Sequence, residues 1–135
     1  MPERVVDTNI ILRFLMQDNM RQFGQSERLI QRIAERQETV FLPWHCVCEI
    51  VFTLQSYYEV PRNEVVEKLS ILFSHAGLHI HMKNAVLHAL EIYKNTNVSF
   101  ADALTIAQMQ CGGISEIYSF DRHFDRVEGI KRLEP

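Results

Sequence analysis

The sequence has 135 residues, 47% apolar and 23% charged, which suits one domain with a substantial core and excludes an intrinsically disordered chain. No run of eighteen or more apolar residues offers a membrane span, and Met1-Pro2-Glu3-Arg4 lacks the basic stretch and apolar core of a secretory signal. The net charge of −3 neither supports nor excludes a nucleic-acid partner: setting four singled-out acids aside from the 17 leaves 13 against 14 Lys and Arg.

Residues 4–6 begin the first strand, and 8–16 read as the helix that follows it. A second helix over 23–37 turns Leu29, Ile30, Ile33 and Ala34 inward. Strand 39–42 ends at Pro43, a residue suited to opening a helix, and 44–57 is that helix. In the next helix, 61–75, Val65, Leu69 and Leu72 keep helical spacing, which Ala76 continues. Strand 78–81 follows, then helices 84–94 and 99–111, the last stopped by Gly112-Gly113, and finally strands 116–118 and 130–133. Short apolar runs alternating with helical patterns are the mark of βα units and a parallel sheet, so residues 1–135 read as a single α/β sandwich domain. The three cysteines are odd in number and irregularly placed, which reads as free thiols in a reducing cytoplasm.

Four carboxylates stand out. Asp7 directly follows Val5-Val6, at the carboxyl end of a strand, where open parallel sheets bind ligands; it also fits a helix N-cap. Glu49 is the only Asp, Glu, Lys or Arg from Pro43 to Tyr58, and a carboxylate on so apolar a helix needs water, a cation or a hydrogen-bond partner. An ordinary edge position facing solvent would also satisfy it. Asp102 is the only such charge from Val98 to Ile114, although Ser99-Phe100-Ala101-Asp102 also has capping-box spacing. Asp121 follows Ile117-Tyr118 and the hydroxyl of Ser119, a place that equally suits an Asx turn. Crowded carboxylates repel one another unless a cation intervenes. Oxygen donors without a convincing His/Cys set favour Mg²⁺ or Mn²⁺ over zinc, and the chemistry such a cluster supports is phosphodiester cleavage.

The same residues carry a resemblance. Val5-Val6-Asp7-Thr8-Asn9 resembles the opening motif of PIN domains, and Glu49 stands where their helix-borne acid falls. Asp102-Ala103-Leu104 with Ala107 is similar to their third motif, and Ser119-Phe120-Asp121-Arg122-His123-Phe124 to their last, with Ser119 where many relatives carry Thr. The resemblance covers nearly the whole chain. It implies a three-layer α/β/α sandwich with a central parallel sheet, and a Mg²⁺/Mn²⁺-dependent endoribonuclease cutting single-stranded or structured RNA. Small stand-alone chains of this kind look like VapC-type toxins of prokaryotic toxin–antitoxin pairs: cytoplasmic, homodimeric and held inactive by an antitoxin protein. Asp7, Glu49 and Asp102 would then coordinate metal, Asp121 would complete the site or position water, and Asn9 and Ser119 would orient the carboxylates from behind. In-line attack of water on phosphorus implies 5′-phosphate and 3′-hydroxyl products.

Arg13, Arg122 and Arg126 lie close in sequence to these acids and are candidates for substrate phosphates, whereas Arg21, Arg28, Arg32 and Arg36 interleave with acids and read as a solvated helix face. His79 and His81 share one side of a strand, but no further ligand accompanies them. The stretch 44–58 and the helix 61–75 carry more apolar surface than one layer hides, with Phe52, Tyr57, Tyr58 and Phe73 prominent, and suggest a homodimer contact or an antitoxin groove. Three other functions fit less closely. They are a housekeeping PIN nuclease of RNA maturation, a non-catalytic PIN-fold RNA-binding module, and a phosphotransfer enzyme with Asp7 as nucleophile, which would want an acid where Asn9 stands.

Overall fold

The computed structural model describes Pro2 and residues 4–135. Helix α1 (Thr8–Met16) opens at Asp7, whose carboxylate accepts the Ile10 amide. Helix α2 (Met20–Ala34) begins earlier than its apolar pattern predicts, because Asn19 Oδ1 accepts the Gln22 amide at 3.1 Å. There follow β1 (Val40–Phe41), α3 (Trp44–Ser56), α4 (Arg62–Phe73), β2 (Leu78–His79), α5 (Lys83–Asn95) and α6 (Phe100–Gly112). Gly113, left-handed at φ 70°, caps α6 as the sequence predicts. The chain ends with β3 (Glu116–Tyr118), a 3-10 helix (Arg122–Arg126) and β4 (Lys131–Leu133).

The α/β class and the parallel pairing are those the sequence leads one to expect. Phe41 pairs with His79 in β2, and Val5 bridges Phe41 from the other side. A second parallel ladder sets Glu116, Ile117 and Tyr118 against Lys131, Arg132 and Leu133. Among the described residues these form two separate groups of strands, with no ladder joining β3 to residues 4–6.

Alternation along the first group decides what it buries: Val6, Val40, Leu42, Leu78 and Ile80 enter the core, while Val5 and His79 stay exposed between them. That core is one continuous cluster gathered from helices α1 to α6, with Tyr93 and Phe73 its largest wholly buried side chains. Phe73 is therefore not a partner-facing aromatic, as its helix had suggested; it fills the interior. Tyr58 is half-buried and donates its hydroxyl to Asp18 at 2.6 Å, which leaves Phe52 and Tyr57 as the exposed aromatics of that region. Phe124, in the 3-10 helix that packs on β4, is buried outside the main cluster. No helix among the described residues is long and apolar enough to cross a membrane.

Candidate metal centre

Asp7 and Glu49 come together through the packing of α1 on α3. Asp7 is exposed, just past the buried Val6, and its Oδ1 spans 3.4 Å to the Ile10 amide, a long cap bond that leaves Oδ2 free. Cys46, Val47, Ile50 and Val51 bury one side of α3, and Glu49 is carried on the other. Its Oε2 accepts the Thr8 hydroxyl at 2.7 Å, so the residue after Asp7 fixes the orientation of Glu49. Asp7, Asn9 and Glu49 line one cavity of about 390 Å³, together with His45 and Thr53. The Cys48 thiol beside it is pushed above its ordinary value, first by burial and then by the negative charge of Glu49.

Asp102 and Asp121 form a second pair, joined by a residue the sequence reading passed over. Ser99 caps α6 by accepting the Asp102 amide at 3.2 Å. The reciprocal bond of a capping box is not made; the Asp102 carboxylate turns outward instead, and its Oδ2 lies 3.0 Å from Nε2 of His123. Nδ1 of the same ring lies 2.6 Å from Asp121 Oδ1, and that oxygen also accepts the His123 amide at 3.2 Å. One ligand atom from each of Asp102, Asp121 and His123 falls within 4.8 Å of the others, and neither Asp7 nor Glu49 belongs to this trio. The four acids thus stand as two pairs, with α3 packed against both α1 and α6.

The other sequence candidates divide. Asn9 lines the Asp7–Glu49 cavity. Ser119 acts on the Asp121 backbone, its Oγ accepting the Asp121 amide at 3.0 Å. Arg13 shares a cavity with Asp7, but its guanidinium already donates to Gln22 at 2.9 Å and to Asp18 at 3.3 Å. Arg122 is exposed next to Asp121. Arg126 lies in a groove with His88, Glu91 and Gln110, apart from the Asp7–Glu49 cavity. His79 and His81 find no third ligand among the described residues, and Trp44 Nε1 donates to the His81 carbonyl. The signal for His123 was its position two residues after Asp121 at a strand end, too short a spacing to stand out without the turn that closes it.

Two carboxylates and an imidazole nitrogen without a hydrogen-bond partner make a donor set that suits a divalent cation. A family model described as "PIN domain" matches residues 4–130. The chain is also 24% identical over 132 residues to a VapC ribonuclease from Aquifex aeolicus (strain VF5), covering 98% of this chain and 96% of that relative.

Proposed function

Since the chain belongs to the PIN-domain family, we propose that it is a Mg²⁺- or Mn²⁺-dependent endoribonuclease, the toxin of a type II toxin–antitoxin pair. The observation that carries the reading is the turn of the Asp102 carboxylate away from its own helix cap and toward Asp121 and His123. Asp102 leaves its capping box open, and the turn after β3 sets a second acid and an imidazole beside it. The relative's name, VapC ribonuclease, supports RNA as the substrate.

In this reading Asp7, Glu49 and Asp102 hold the cation directly or through bound water, Asp102 with Asp121 lying within reach of one ion and Asp7 with Glu49 forming the neighbouring pair. A divalent cation bound there supplies positive charge against the RNA phosphate and makes water acidic enough to act as nucleophile near neutral pH. The chain's own groups do the positioning. Thr8 fixes Glu49, Ser119 fixes the backbone of Asp121, and the exposed Arg122 would take a substrate phosphate. In the same reading the protein works in the cytoplasm as a homodimer through the exposed Phe52 and Tyr57, and an antitoxin protein restrains it.

Expression in a bacterial host tests this. The parent chain should arrest growth and leave newly cut RNA with 5′-phosphate ends, and Asp102→Asn should relieve both. Equal arrest by parent and variant, or no new RNA ends, would overturn it.

A further inference from the structure

We infer that His123 is itself a ligand of the cation through Nε2, and that Asp121 acts mainly by fixing the tautomer and orientation of that ring. The inference rests on the metal-dependent reading above and goes beyond it in naming a nitrogen donor and its consequence for which ion is held.

Asp121 caps the 3-10 helix, so its carboxylate is already committed to the His123 amide when the ring folds back onto the same oxygen. The ring also lies against Phe124, with centroids 4.5 Å apart, and Phe124 is buried, so the imidazole has little freedom to turn. Two acceptors cannot approach to 2.6 Å without a proton between them, and a carboxylate has none to give. A proton on Nδ1 satisfies Asp121 and leaves Nε2 as the ring atom that faces Asp102.

That atom is the anomaly. Nε2 is buried and has no hydrogen-bond partner, although Asp102 Oδ2 lies only 3.0 Å away. The oxygen is close enough for a hydrogen bond but off the direction an N–H would take. A buried polar atom left unsatisfied needs a reason. A cation bonded to both atoms supplies one. Adjacent ligand atoms around an octahedral divalent ion with bonds of about 2.1 Å lie about 3.0 Å apart. A carboxylate holding Nδ1–H while Nε2 faces a metal is the usual way a protein aims a histidine ligand. An imidazole nitrogen added to oxygen donors moves preference away from Mg²⁺ toward transition metals, Co²⁺ more than Mn²⁺.

Pulsed electron paramagnetic resonance on the Mn²⁺-loaded protein, with natural and ¹⁵N-labelled histidine, reads the nitrogen directly. The parent should show a histidine nitrogen coupled to Mn²⁺, and the coupling should vanish in His123→Ala while remaining in His45→Ala, the control for the histidine of the Asp7–Glu49 cavity. Calorimetric titration should show Co²⁺ affinity falling about ten- to a hundredfold in His123→Ala, with a smaller loss for Mg²⁺. His123→Gln serves if the alanine variant does not fold. Mn²⁺ bound by the parent and lost in Asp102→Asn, but without any nitrogen coupling, would overturn this inference and leave the proposed function standing. A parent that binds no Mn²⁺ would overturn both. Asp121→Ala should weaken binding yet keep the coupling; a loss as large as that of Asp102→Asn would make Asp121 a ligand in its own right and refute its positioning role.

Discussion

Asp7 and Asp102 both occupy the start of a helix, where an acid's ordinary work is capping, and the structure separates them. Asp7 caps, though over 3.4 Å, whereas Ser99 caps α6 and leaves the Asp102 carboxylate free. Asn caps nearly as well as Asp, so capping alone predicts that Asp7→Asn is neutral and that metal stabilises parent and variant equally. A metal role predicts otherwise. Mn²⁺ at a hundredfold excess over its dissociation constant should stabilise the parent by about 2.7 kcal/mol, and should do far less for Asp7→Asn and Asp102→Asn. Melting curves of the three proteins with and without Mn²⁺ check this, and equal shifts would make the carboxylates structural. At this scale the four acids were legible because each is charged where its surroundings are apolar or at a strand end. The contact of His123 with both acids was not, because it depends on a 3-10 turn that folds the ring back onto its own cap.

The element that sets Asp102 is the α5–α6 hairpin, and Arg62 on α4 is its clamp. The Arg62 guanidinium donates to the carbonyls of Val98 at 2.6 Å and Tyr93 at 3.0 Å, and lies 4.2 Å from the centre of the Tyr93 ring. Arg62→Ala should cost about 2–3 kcal/mol by chemical denaturation, since charge-assisted bonds are lost and carbonyls at a helix end are left unpaired. Arg62→Lys should restore only part of it, lacking the planar fork. Glu38 is a second tie, accepting from Arg4 at 3.0 Å and Arg32 at 2.9 Å, so that residues 4–6 are bound to the end of α2. The Arg32 bond first, and then that of Arg4, hold the Glu38 carboxyl below its ordinary value. Its contribution is therefore present above the unfolded value of about pH 4.3 and is lost as pH falls through the lower folded value. Melting temperatures should show a shallower acid decline in Glu38→Gln than in the parent. Helix positions were readable from apolar spacing. The early start of α2 was missed because Asn19 caps in place of a later residue, and β1 and β2 are shorter than their apolar runs because pairing stops where the partner ends.

Across the whole molecule, strand pairing was the least readable feature. The apolar runs at 4–6, 39–42, 78–81 and 116–118 all read as strands of one parallel sheet. Nothing in the runs themselves records that, among the described residues, β3 pairs with β4 alone while Val5 and Tyr118 remain 65% and 71% exposed. Burial separated the proposed contact aromatics in the same way: Phe73 went to the core, whereas Phe52 and Tyr57 are 70% and 76% exposed. If these two form the homodimer contact, the parent should sediment as a dimer and Phe52→Glu as a monomer with an unchanged melting profile; a monomeric parent at high concentration would refute the contact. The central claim is that these carboxylates serve cation-dependent RNA hydrolysis, and the most direct measurement is cleavage of single-stranded RNA by the purified protein in Mg²⁺ or Mn²⁺ against excess EDTA, with the product ends identified. The account predicts cleavage only with the cation, 5′-phosphate and 3′-hydroxyl ends, and loss of activity in Asp102→Asn; full activity in EDTA, or 2′,3′-cyclic phosphate ends, would contradict it.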